Sequence, residues 1–307
     1  MRLLTSESLL EGFKEDCELR RLASARDYIR YAREFMAFLE ARGSSPRSIE
    51  NEDLKAFLFT LQKRDLRSTT IDRIISCVST FCTYLEDEKF LENNPMPTFR
   101  RRYLRVYKDS NDGQSRKLIS VSEASLLVNS ILDTRDQAIV LLMFKTGVRL
   151  NELRSLDVND IDLQKGKVRL KPTAKRSNRT LYIDEETITV LHRWLNARKG
   201  RKGADGPALF ISFLGTRLTG TTINLLVEKH AARVGLHDPK SERMEDRFSP
   251  HCCRHWFTTY LIRSGMPRDY VKELRGDVRH EAIDIYNHID REALRRSYLE
   301  HIPQLGV

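Results

Sequence analysis

A mainly helical chain with one small antiparallel β-hairpin or sheet is predicted: a helical N-terminal domain, then a mixed α+β domain. Three observations predict it. Apolar residues recur at helical spacing through residues 1–95. One stretch, Lys165–Ile183, alternates apolar and polar side chains around a polar turn. Between these regions, residues 96–117 carry lopsided charge and no apolar periodicity. A length of 307 residues suits two domains, and the expected division is 1–95, a linker at 96–117, and 118–307.

In the first region, Ser24–Gly43 places Tyr28, Tyr31, Phe35 and Phe38 or Leu39 on one helical face, and Gly43 ends the helix. A second helix fits Glu52–Lys63, with Leu54, Phe57, Leu58 and Leu61 inward. A third fits Thr69–Glu86, carrying Ile71, Ile74, Ile75, Val78, Phe81 and Leu85. Such stripes mark core rather than a cofactor pocket. NNPMP at 93–97 then breaks the pattern. In the third region Ser122 reads as a helix N-cap, and Arg135–Lys145 as a buried helix. Further helices are expected at Glu185–Arg198, Thr221–Val234, Cys252–Ser264, Arg268–Arg275, Glu281–His288 and Arg291–Glu300, and a short strand at 208–212. The last helix turns Leu294 and Tyr298 inward; it and the apolar tail either fold back on their own domain or dock on a neighbour.

Composition narrows the function. Lys and Arg total 53 against 43 Asp and Glu, a net charge of +10, so a polyanion is the first partner to test. No apolar run approaches the ~18 residues of a membrane span. The N-terminus turns charged too early for a secretory signal. Five cysteines, at 17, 77, 82, 252 and 253, form no CxxC pair, which argues against a disulfide framework or zinc ribbon and suits a reducing cytoplasm.

The basic residues are concentrated. Arg100, Arg101, Arg102, Arg105, Lys108, Arg116 and Lys117 face only Asp109 and Asp112. The segment is either a solvated loop or a strap along a phosphate backbone; charge without matching acid favours the strap. The hairpin stretch holds Lys165, Lys167, Arg169, Lys171, Lys175, Arg176 and Arg179 with no acid, as edge protection or as an arm against a duplex. In TGVRLNEL, Arg149 follows a Thr-Gly turn and Glu152 stands one helical turn on, forming either a structural ion pair or an oriented anion fork. In SPHCCRHWFTT, His251 and Arg254 share the first turn of a helix, where anions are favoured.

TGVRxxEL, a Lys-bearing basic hairpin, HxxRHxFxT and then Tyr286, 32 residues after Arg254, occur in that order. Together they resemble the tyrosine recombinase (phage integrase) family, and in style its archaeal integrases. The resemblance covers nearly the whole chain, and its linked motifs are far more specific than any one of them. It implies a core-binding N-terminal domain and a catalytic domain that clamp double-stranded DNA. It implies that Tyr286 attacks the scissile phosphate, leaving a 3′-phosphotyrosine and a free 5′-hydroxyl. Arg149 and Arg254 would hold the non-bridging oxygens, His251 would assist, Glu152 would stand behind them, and Lys175 would protonate the departing oxygen. Lys171 also flanks the turn; Lys175 is preferred because Pro172 ends the first strand before it. Arg100, Arg101, Arg102, Arg105, Lys171, Arg176 and Arg179 are the expected DNA contacts. The family usually places His or Trp nine residues before its tyrosine, where this chain has Asp277. His280 is the candidate substitute. No metal or cofactor is implied, and strand exchange implies several protomers, a tetramer on paired sites. A type IB-like topoisomerase and an inactive DNA-binding regulator on the same fold are the alternatives.

Overall fold

The computed structural model describes residues 6–22, 24–64, 66–104, 117–171, 179–276 and 289–307. The chain divides into two compact units, residues 1–113 and 114–307, each with its own apolar core.

The first unit contains α1 (Ser6–Leu19), α2 (Ala25–Ala41), α3 (Asn51–Gln62), α4 (Ser68–Asp87) and α5 (Met96–Tyr103). The predicted stripes of α2, α3 and α4 bury Phe35, Leu39, Phe57, Leu61, Ile74 and Phe81. Phenylalanines from different helices meet edge-on, Phe13 with Phe81 and Phe35 with Phe57, each pair 5.0 Å between centroids. Burial of each such side chain contributes about 1.5–3 kcal/mol. At the start of α3 the Glu50 N–H donates to Asp53 Oδ2 at 3.1 Å, and Ser44 Oγ donates to Asp53 Oδ1 at 2.7 Å. This satisfies a helix end that otherwise leaves N–H groups unpaired.

Helix α5 corrects the expected boundary. Met96, Phe99 and Leu104 are buried in the core of the first unit, so residues 96–104 belong to it and not to a linker. Arg100, Arg101 and Arg102 form the last turn of α5, where cations suit the helix dipole. Met96, Phe99 and Tyr103 have helical spacing, a signal hidden by the three consecutive arginines.

The second unit begins with α6 (Val121–Asn129). Its cap is Ser120, not Ser122: Ser120 Oγ accepts from the Glu123 N–H at 3.1 Å, and Ser120 N–H donates to Glu123 Oε2 at 2.7 Å. Next is α7 (Thr134–Thr146), capped by Asp133 and buried throughout residues 138–146. After α8 (Leu150–Ser155) come β1 (Ile161–Asp162), β2 (Lys167–Arg169) and β3 (Thr180–Tyr182). They form an antiparallel sheet ordered β1-β2-β3, with Val168 opposite both Ile161 and Leu181. The expected strand at 208–212 reduces to two isolated bridges, Asp157 with Ala208 and Ile211 with Arg217. The remaining helices are α9 (Glu185–Lys199), α10 (Gly220–Arg233), α11 (Pro250–Arg263), α12 (Arg268–Arg275) and α13 (Arg291–His301). The helix expected at 281–288 lies outside the described residues.

Helices α9 and α11 pack on α7, and Lys145 near the end of α7 is fully buried. Its Nζ donates to Asp184 Oδ2 and Glu186 Oε2, both at 2.6 Å, and to the Pro303 carbonyl at 2.7 Å. Glu186 accepts in turn from the Leu305 N–H at 2.8 Å, and Ser125 Oγ donates to the Leu305 carbonyl at 2.6 Å. The C-terminal tail is therefore held on its own unit. Among the described residues no helix is long and apolar enough to cross a membrane.

Candidate active site

Arg149 owes its position to a glycine. Gly147 ends α7 in the left-handed conformation (φ 58°), and a Cβ there would lie 2.4 Å from the Phe257 ring. Both facts require glycine. The turn makes Arg149 the N-cap residue of α8. Its N–H donates to Glu152 Oε2 at 2.8 Å, and its Nη1 donates to Glu152 Oε1 at 3.2 Å. Arg149 Nη1 also reaches the Arg275 carbonyl at 3.3 Å.

Helix α11 opens with Pro250, so His251 and Arg254 project from its first turn. His251 is exposed and Arg254 only 8% so. Arg254 donates from Nη1 to the Gly147 carbonyl at 2.6 Å and from Nη2 to the Arg275 carbonyl at 2.8 Å. The two carbonyls at the ends of α7 and α12 thus fix the guanidinium planes. Arg149, His251, Arg254, His255, Thr258 and Arg275 line one open pocket of about 360 Å³.

Three arginines and two histidines give this pocket a positive lining. Burial, then the nearby Arg149, Arg275 and Arg179, pull the Arg254 pKa down to about 10; Glu152 opposes them. Arg254 remains charged at neutral pH, in a place where an anion would relieve the repulsion. Burial pushes the Glu152 carboxyl up, but Arg179 and Arg149 outweigh it and hold it below the usual carboxylate range. The arrangement is an anion site built from rigidly held guanidiniums and an adjacent imidazole.

Two of the expected DNA contacts have acidic partners within the protein. Arg179 is buried, at 8% exposure, and pairs with Glu152 at 2.9 Å. It sits inside the protein, not on the outer face of the hairpin. Lys171 pairs with Asp157 and, at 3.7 Å, with Asp160. The hairpin contains no acid, but the turn before β1 supplies two. Lys175, Arg176, Arg105, His280 and Tyr286 lie outside the described residues. His255, Thr258 and Arg275 join the pocket without having been assigned a role from sequence; His255 lies inside HxxRHxFxT, which was the available signal.

Gly276 caps α12 in the left-handed conformation (φ 65°), and a Cβ on it would lie 2.5 Å from Arg179 Nη1. Gly276→Ala is expected to displace Arg179 and the Arg275 carbonyl that holds both site arginines, lowering DNA cleavage at least tenfold. Single-turnover kinetics of the variant check this.

Comparison with known proteins agrees with this geometry. Residues 112–293 match the phage integrase family, and residues 7–89 match the phage integrase N-terminal SAM-like domain. The chain therefore belongs to the phage integrase family, the tyrosine recombinases, which cleave and rejoin DNA. It is 28% identical over 271 residues to tyrosine recombinase XerC of Pelotomaculum thermopropionicum, covering 84% of this chain and 83% of that one. It is 27% identical over 291 residues to tyrosine recombinase XerC of Bacillus subtilis, covering 91% and 90%. Two solved structures share the fold. XerH bound to palindromic difH substrate in a post-cleavage complex has TM-score 0.70 at 20% identity, covering 95% of this chain and 84% of that one. The Tn1549 transposon integrase in complex with transposon right end DNA has TM-score 0.68 at 18% identity, covering 93% and 99%.

Proposed function

We propose that the chain is a site-specific DNA recombinase working through a 3′-phosphotyrosine at Tyr286. The observation that carries this reading is the convergence of Arg149, His251 and Arg254 on one pocket in a chain of this family. The Tyr286 phenol oxygen attacks the scissile phosphorus, and the bond to the 5′-oxygen breaks. Lys175 donates a proton to that oxygen as it leaves. Arg149 and Arg254 neutralise charge on the non-bridging oxygens, and His251 donates to one of them or passes a proton. A phenol, with a pKa of about 10, is a poor nucleophile toward a bare phosphodiester; masking phosphate charge is what makes attack possible. His280 takes the place of the family's usual His or Trp, where Asp277 would repel phosphate.

The phosphotyrosine retains the bond energy of the phosphodiester. A 5′-hydroxyl from a second duplex reverses the step without ATP. Exchange between two sites requires several protomers, so a homo-oligomer assembles on paired duplex sites, a tetramer in the simplest case. Relatives named XerC and a neighbour bound to its difH substrate support this reading.

A nicked suicide substrate tests it. Duplex DNA from the vicinity of the gene is incubated with the protein and run on a denaturing gel. A covalent adduct is expected with the wild-type chain, and recombinant product when two sites are present. Relaxation of supercoils without any site requirement would indicate the topoisomerase alternative. Tight binding without an adduct on single or paired sites would indicate the regulator.

A further inference from the structure

Arg179 is a buried charge beside the arginine pocket that the mechanism above does not use. The carboxylate of Glu152, 3% exposed, receives four donors. Oε1 accepts from Arg149 Nη1 at 3.2 Å and Arg179 Nη1 at 2.9 Å; Oε2 accepts from the Arg149 N–H at 2.8 Å and Arg179 Nη2 at 3.2 Å. Four donors fill the four lone-pair positions of a carboxylate. Arg179 contributes two guanidinium contacts, Arg149 only one. Arg179 Nε is tied to the Leu274 carbonyl at 2.9 Å, and the absent side chain of Gly276 leaves room for the guanidinium.

We propose that Arg179 is a positioning residue: by taking up most of the Glu152 charge, it leaves Arg149 cationic and turned toward the substrate phosphate. If Arg179 is removed, Arg149 becomes the only guanidinium on a buried carboxylate. A bidentate Arg149–Glu152 pair then forms, and the phosphate loses a charge partner. The defect lies in Glu152's unshared charge, so removing that charge repairs it. This proposal rests on the reading of Arg149 as a phosphate ligand.

The test compares the full-length wild type with Arg179→Met, Arg179→Lys and the double variant Arg179→Met/Glu152→Gln. Single-turnover suicide-substrate cleavage and DNA affinity are measured across salt concentrations. Arg179→Met is expected to cleave ten- to a hundredfold more slowly, with DNA affinity changed less than threefold. Arg179→Lys is expected to be intermediate, and the double variant to regain at least tenfold over Arg179→Met. A merely structural Arg179 would leave the double variant as slow as the single or slower, and that would overturn the proposal. So would weakened DNA binding with a salt slope reduced by about 1 that persists in the double variant, the mark of a phosphate contact made by Arg179 itself. Titration with inorganic phosphate, followed by NMR of the arginine side chains, gives the same ordering without any cleavage. If that ordering holds while the wild type forms no adduct, the phosphotyrosine reading fails and the role of Arg179 stands. If adducts form normally and the ordering is absent, the reverse is true.

Discussion

Arg254→Ala is expected to slow strand cleavage about 10²- to 10³-fold, the usual cost of removing a preorganised donor from a developing oxyanion. Arg254 is held from two sides, by the Gly147 carbonyl at 2.6 Å and the Arg275 carbonyl at 2.8 Å. Its orientation is set before DNA arrives. Its pKa, drawn down to about 10 mainly by burial and next by neighbouring arginines, shows that the charge is stabilised poorly by the protein alone. A phosphate, and more so a phosphorane carrying extra negative charge, supplies the missing stabilisation. Lysine is a compact point charge without the planar fork that reaches the Gly147 and Arg275 carbonyls from separate nitrogens, so Arg254→Lys should recover only a small part of the rate. The check is a single-turnover rate on a suicide substrate beside a binding isotherm: cleavage falls far more than affinity. Cleavage by Arg254→Ala within threefold of wild type would mean that the phosphate binds elsewhere.

Lys145→Met is expected to have the largest effect on stability. The substitution leaves Asp184 and Glu186 close together without their shared cation. Removing one partner of a buried ion pair costs about 3–5 kcal/mol, a fall in Tm on the order of 10 °C for a domain of this size. Both tryptophans, Trp194 and Trp256, are buried in the second unit, so tryptophan fluorescence follows its unfolding selectively. The pH dependence has a definite sign. Burial pushes both carboxyls up, but Lys145 outweighs it and holds them below the ordinary range. Depressed carboxyl pKa values contribute stability above the unfolded value of about 4, and that stability is lost as pH falls through the folded values. Without Lys145 the largest lowering influence on both carboxyls is gone, so their folded values rise and the variant loses less stability than wild type on acidification. The gap between wild type and Lys145→Met should therefore be full near pH 7 and narrow as pH falls below about 4, through the depressed wild-type values. A gap independent of pH would assign the loss to packing alone.

Much of the fold was legible because single helices carry their own pattern. The stripes of α2, α3 and α4, and the apolar run of α7, place those helices to within a residue or two of their observed ends. What sequence reading missed depends on comparisons across the chain. Three consecutive arginines mask the helical spacing of Met96, Phe99 and Tyr103, so charge alone gives α5 the look of a linker. A capping box needs both members, and Glu123 pairs with Ser120 rather than Ser122. Residues 208–212 have strand-like composition but find partners at only two bridges.

The site divides in the same way. Arg149 and Glu152, three residues apart, could be paired from sequence. That Arg149 and Arg254 serve one phosphate came only from family resemblance, because they lie more than a hundred residues apart; the Arg275 carbonyl that both contact has no signal in the sequence. Counting charge along the hairpin finds no acid beside Arg179 and Lys171. Their acid partners, Glu152 and Asp157, lie 27 and 14 residues upstream. Tyr286, Lys175 and His280 rest on their sequence pattern alone.

Tyr286 is expected to carry the cleaved DNA strand. The most direct measurement is to trap the suicide-substrate adduct, digest it with nuclease and trypsin, and locate the phosphonucleotide by mass spectrometry, with Tyr286→Phe alongside. The expected result is a 3′-linked phosphonucleotide on Tyr286 and no adduct from the variant. A nucleotide on another residue, a 5′ linkage, or an undiminished adduct from Tyr286→Phe would contradict the account.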